Sequence, residues 1–188
     1  PKNIQDLLPS EILFQTSYWS QIKSCLGWKP YAFDFKSSTN QQGDLLVLIK
    51  PLRHGLAGAH VPQGPETGPK HEKHGLFLEA LSQAMIKYMD SSVAFIRYDL
   101  PWESPYAVDG YAWSGHPAPR LRELRMNMGT LSWNLRKAAI DLTVADALIV
   151  DLARTEKDIL DSMKPKTRYN ICLAQRKGVS VSKASVEM

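Results

Sequence analysis

Cysteine is scarce in this 188-residue chain: there are two, Cys25 and Cys172, far apart and in no CxxC pair. That spacing excludes a disulfide framework and a cysteine zinc site, and it suggests two small buried apolar side chains rather than nucleophiles. Long apolar runs are missing too. No stretch approaches the roughly 20 residues a membrane span needs, and the opening PKNIQDLLPSEILFQ lacks the basic-then-apolar order of a signal peptide. A cytosolic protein is the expectation. GxSxG, HExxH, the Walker pattern, GxGxxG and internal repeats are all absent, so a hydrolase triad, a zinc protease and a solenoid have no support.

What is present suits one well-filled core, with 44% of residues hydrophobic and 22% charged. One domain is the default at this length, and two small ones are the alternative. The charge is uneven. Residues 1–162 carry 17 Lys and Arg against 18 Asp and Glu, while residues 163–188 carry 6 against 1. Such a block either meets a polyanion (phosphate, RNA or an anionic membrane surface) or is a solvated helix face, and charge alone leaves both open.

Alternating strands and helices predict an α/β or α+β layer fold. SYWSQIKSCL (17–26) reads as a short helix capped by Ser17 and stopped by Gly27. YAFDFK (31–36), the turn SSTNQQGD and the continuous apolar LLVLIKPL (45–52) read as a hairpin whose second strand is buried on both faces. A short strand at 57–61 opens a Gly- and Pro-rich loop, and an amphipathic helix follows over 76–89, with Leu78, Leu81, Met85 and Met89 on one stripe. SVAFIRYDL (92–100) is a strand that delivers Asp99 at its carboxyl end, and residues 101–119, with four prolines and four aromatics, form a long loop. AAIDLTV (138–144) and VSVSKA (179–184) are strand-like, and ADALIVDL (145–152) is a strand or buried segment. Thr155 with Asp158 forms a capping box for EKDILDSM, and Thr167 likewise starts a basic helix, 167–177, that Gly178 ends and whose Tyr169, Cys172 and Leu173 face a core.

Each candidate residue has a plain alternative. His71 and His74 offer two metal-capable side chains without a further ligand, and a solvated loop explains them better. PQGPETG (62–68) has glycines that let backbone N–H groups approach a phosphate, yet reads equally as a turn. Lys23 lies one helical turn after Trp19, where a lysine is usually solvated. A carboxylate closing an apolar strand, as Asp99 does, must cap a turn, pair with a cation or touch a ligand. Lys164, Lys166 and Arg168 gather around the first turn of the basic helix, where the dipole disfavours cations unless an anion sits there.

Taken together, these segments resemble a known family. MKPKTRYNICLAQRKGVSV is similar to the lysine-led R-x-N-I-x-x-A-x-x-x-G-V segment of the FemABX peptidyltransferases. FQTSYWSQIKSCLGWKPYAF is similar to their first helix with W-x-x-x-K and a following G-W, HVPQGPE to a strand-to-loop G-P, FIRYDLPW to a strand ending R-[FY]-D-P, and AAIDLTVADALIVDL to the strand before the basic helix. The resemblance implies a GNAT-type acyltransferase fold, a twisted mixed β-sheet flanked by helices. Residues 1–188 would be one such domain, the first of two tandem copies, so that the chain alone is a poor catalyst. Loop 101–119 is longer than the family leads one to expect.

The implied reaction moves an amino acid from aminoacyl-tRNA onto the stem peptide of a UDP-linked or lipid-linked peptidoglycan precursor, in the cytoplasm or at the inner face of the membrane, with peripheral membrane association in the lipid-linked case. No cofactor and no metal are implied. By match of motif, Asp99 lines the acceptor-peptide site and holds or deprotonates the amine, and Lys23 contacts the diphosphate or sugar end of the precursor. Gln63, Gly64 and Pro65 border that pocket, with Gln63 where a relative offers Lys. Arg168 and its neighbours serve packing between copies or the approach of RNA. Lys23 and Asp99 should then line one anion-receiving cleft. The rival readings are a CoA-dependent N-acyltransferase, for which QRKGVSV is a poor pyrophosphate loop, and a non-catalytic RNA-binding module.

Overall fold

A computed structural model describes residues 1–36, 42–103, 117–142 and 150–182. The chain divides into two compact units, residues 1–143 and 144–188. In the first, the elements run α1 (Ser17–Cys25), β1 (Lys29–Lys36), β2 (Gln42–Pro51), β3 (Ala57–Val61), α2 (His74–Ile86), β4 (Val93–Tyr98) and α3 (Pro119–Asn127). The sheet order is β1-β2-β3-β4, antiparallel across the first two pairings and parallel between β3 and β4. This mixed sheet flanked by helices is a GNAT-like α+β arrangement.

Strand β2 is the spine of the core. Leu45 to Ile49 are all buried, because residues 45, 47 and 49 join α2 residues Phe77, Leu78, Leu81 and Met85 on one face while Leu46 and Leu48 point to the other, where α1 packs. Ala57, Ala59 and Val61 of β3 continue the α2 face, leaving Gly58 and His60 on the α1 face. The phenyl ring of Phe95 on β4 lies over Gly58, where an added Cβ would stand 2.7 Å from it. A Cβ on Gly75 would stand 1.6 Å from the Met126 carbonyl oxygen, so only glycine lets α2 pass α3 so closely.

The predicted helix 17–26, hairpin, strands at 57–61 and 92–100 and helix 76–89 all form, with small shifts at their ends. Thr16 rather than Ser17 caps α1, its hydroxyl accepting the Trp19 N–H. Helix α3 is an addition to the sequence reading. Residues 138–142 of AAIDLTV form no strand; Ile140 and Leu142 are exposed and the Ile140 carbonyl accepts from Arg97. Turn residues 37–41, loop residues 104–116, positions 143–149 and the end of VSVSKA from 183 lie outside the described residues.

The second unit contains α4 (Glu156–Ser162) and α5 (Pro165–Arg176). Thr155 caps α4 as expected, accepting the Asp158 N–H at 3.2 Å and donating to its carboxylate at 2.6 Å. Helix α5 begins at Pro165, with no side-chain cap from Thr167, and Gly178 ends it at φ +79°. Neither helix has a buried residue. Tyr169 and Cys172 are exposed and Leu173 is half-buried, against the expected core-facing stripe: two short helices cannot enclose a core. Residues 179–182 form no strand. Cys25, the last residue of α1, is exposed as well, so the expectation of two buried cysteines fails at both positions.

Candidate functional site

The α1 face of β3 and β4 gathers the polar residues. Register pairs His60 with Arg97 and Val61 with Tyr98, so the period-two alternation that sends Val61 and Tyr98 toward α2 sends His60, Arg97 and Asp99 the other way. Asp99 lies one residue beyond β4, and its N–H still donates to the Val61 carbonyl at 3.0 Å. Its side chain is 8% exposed and both carboxylate oxygens are engaged: Oδ1 accepts from Arg97 Nε at 2.9 Å and Oδ2 stands 2.9 Å from His60 Nε2. Arg97 also donates from Nη1 to the Ile140 carbonyl at 2.7 Å.

The loop after β3 closes on the same residue. Gly64 donates its N–H to the Asp99 carbonyl at 3.0 Å, and Trp102 Nε1 donates to the Pro65 carbonyl at 2.9 Å. Behind the loop, the buried Gln15 amide donates to the Pro62 carbonyl at 2.6 Å and accepts the Leu46 N–H at 2.8 Å. A Cβ on Gly64 would sit 2.6 Å from Gln15 Nε2, so any other residue there would have to displace the bridging amide. Gln63 is half-buried with φ +45°.

Lys23 reaches this cluster through aromatic rings. The Gly27 N–H donates to the Ser24 carbonyl and the Trp28 N–H to the Lys23 carbonyl, with Gly27 at φ +77°, a turn that swings Trp28 back beside the helix. Lys23 Nζ then lies 4.9 Å from the Trp19 ring centroid and 5.3 Å from that of Trp28, while Lys50 Nζ lies 5.1 Å from the Trp28 ring. The Trp28 and His60 rings are 6.2 Å apart. Lys23, Trp28, His60, Asp99 and Arg97 thus form one continuous line, and Gln63 and Gly64 border its end. A cavity of about 260 Å³ elsewhere in this unit, among Lys29, Tyr31, Leu56 and Asp90, shares none of these residues.

The electrostatics of the line favour a neutral histidine. Burial pushes the His60 pKa below 6.5; its bond to Asp99 opposes that shift, while the positive charges of Arg97 and Lys23 add to it. At neutral pH the ring carries one proton, and Asp99 Oδ2, an acceptor only, places it on Nε2.

Arg168, in the second unit, has a different setting. Its Nη1 donates to the carbonyls of Leu160, Asp161 and Met163 at the end of α4. A cation near the start of α5 is therefore satisfied by the negative end of the preceding helix. His74 also departs from expectation: it is buried, 3.0 Å from the Pro69 carbonyl through Nε2 and against the Trp102 ring at 4.4 Å, not solvated. Among the described residues no group of three His, Cys, Asp or Glu is placed to hold a metal. None of their helices is long and apolar enough to cross a membrane.

His60, Lys50 and the pairing role of Arg97 were not singled out in the sequence. The pattern that finds His60 and Arg97 is Arg97-x-Asp99 at strand spacing, together with one polar residue in the otherwise small and apolar AGAHV. What it lacks is the β3–β4 register, which only the folded chain supplies.

A search of curated proteins returned no match. The FemAB family model matches residues 7–188, which spans both units and every element of the site. By that match the chain belongs to the FemAB family, transferases of peptidoglycan interpeptide-bridge formation.

Proposed function

We propose that this chain is the precursor-binding half of an aminoacyl-tRNA-dependent aminoacyltransferase, acting in the cytoplasm or at the inner face of the membrane. The observation that carries the reading is the continuous line from Lys23 through Trp28 and His60 to Asp99. An ammonium at one end suits the diphosphate or sugar end of a muropeptide, and the carboxylate at the other, anchored by Arg97 and His60, orders the side that receives the stem-peptide amine. The loop at Gln63 and Gly64 borders that amine. The ester joining an amino acid to tRNA is already activated, so holding the amine against it supplies much of the acceleration. Arg168 is assigned to joining α4 and α5 rather than to substrate.

The test is calorimetric titration with a UDP-linked muropeptide, followed by transfer assays with aminoacyl-tRNA in the intact protein. Binding that weakens in Lys23→Ala, with turnover lost in Asp99→Asn, supports the reading. Binding of acetyl-CoA in place of the muropeptide replaces it with CoA-dependent acyl transfer. Near-normal turnover in Asp99→Asn removes Asp99 from the site.

A further inference from the structure

Asp99 is poorly placed to take a proton from an incoming amine. Arg97 occupies one carboxylate oxygen and His60 the other, both at 2.9 Å, and the side chain is 8% exposed. The imidazole beside it is differently situated. His60 keeps 13% of its side-chain surface exposed, and its Nδ1 makes no hydrogen bond among the described residues. With Nε2–H directed at Asp99, the free lone pair of the ring is on Nδ1.

We propose that His60 Nδ1 is the proton acceptor for the attacking amine, with Asp99 as the positioning residue that fixes its tautomer and Arg97 as the group that fixes Asp99. This rests on the reading that a stem-peptide amine is the nucleophile. Nδ1 takes one proton from the ammonium, and the neutral amine attacks the ester carbonyl, forming the C–N bond. The adduct nitrogen then gives up a second proton as the ester C–O bond breaks. That bond's electron pair goes to the ribose oxygen, which takes the second proton and leaves as a hydroxyl, and His60 releases the first proton to solvent. The charged groups facing the ring are Asp99 and Arg97 from β4 and Lys23 from α1. Their balance and burial keep the ring neutral at pH 7, ready to accept.

Two measurements on the intact protein test this. The first is nitrogen NMR of the His60 ring: the Nε2–H tautomer with unprotonated Nδ1 is expected at pH 7, and the opposite tautomer overturns the proposal whatever the substrate. The second is turnover against pH. Wild type should lose kcat/KM on the acid side with a midpoint below 6.5. His60→Gln should lower kcat by about 10²–10⁴-fold and abolish that limb, with the muropeptide KM within about threefold. His60→Gly should recover rate with added imidazole, which a merely structural role would not allow. Turnover of His60→Gln within threefold of wild type, or an intact acid limb, removes His60 as acceptor while leaving the precursor-binding reading in place. Wild type that binds no muropeptide overturns that reading and the proposal with it.

Discussion

The main-chain carbonyl of Lys23 accepts the N–H of Trp28, so the helix that carries the cation also places the ring that links it to His60. Gly27 makes the turn possible at φ +77°. Gly27→Ala forces a Cβ into the left-handed region and should cost about 1–2 kcal/mol. Thermal denaturation of the variant measures that loss, and Trp28 fluorescence should report the displaced ring.

Lys23→Ala should raise the KM for the muropeptide by about 10-fold or more, the size of one lost charge-assisted contact, with kcat changed less than threefold. Steady-state kinetics with the precursor as the varied substrate decide it; an equal fall in kcat would place Lys23 in the chemistry instead.

Glu79 of α2 accepts the N–H groups of Leu131 at 2.8 Å and Ser132 at 2.7 Å, which hold its carboxyl below the ordinary range. A carboxylate lowered in the folded state stabilises above its unfolded pKa of about 4.3, and that stability disappears as pH falls through the folded value. Glu79→Gln should therefore lower the urea midpoint at pH 7 and flatten its fall as the pH drops below the unfolded carboxyl value of about 4.3. An unchanged acid profile would mean the two N–H groups find other acceptors.

Arg168→Ala removes the donor shared by three carbonyls at the end of α4 and should destabilise the α4–α5 pair by about 1–3 kcal/mol. Hydrogen exchange over residues 156–176 is the readout. Lys164→Ala, whose side chain caps nothing, should leave exchange unchanged.

Much of the first unit was legible because its signals are local and agree with one another. The run from Leu45 to Ile49 lacks alternation, which is what a strand covered by α1 and α2 requires. Asp99 declared itself as a carboxylate at a strand end. Helix α3 did not, since four of the nine residues of PRLRELRMN are charged, its apolar stripe is thin and Pro119 is its one clear start signal. Ile140 was misread as part of a strand because nothing in its neighbourhood shows that Arg97, 43 residues away, takes its carbonyl. In the basic helix, Arg168 donates to carbonyls at the end of α4, a contact that the charge pattern of α5 does not announce. His60 was hidden by register, a property of two strands and not of one.

The Gln15 amide bridges β2 and the loop that holds Gly64, through Leu46 on one side and Pro62 on the other. The stretch upstream of α1 for that reason braces the loop beside Asp99 from behind. Trimming it, or fusing a reporter close to it, would loosen a loop 47 residues downstream in sequence.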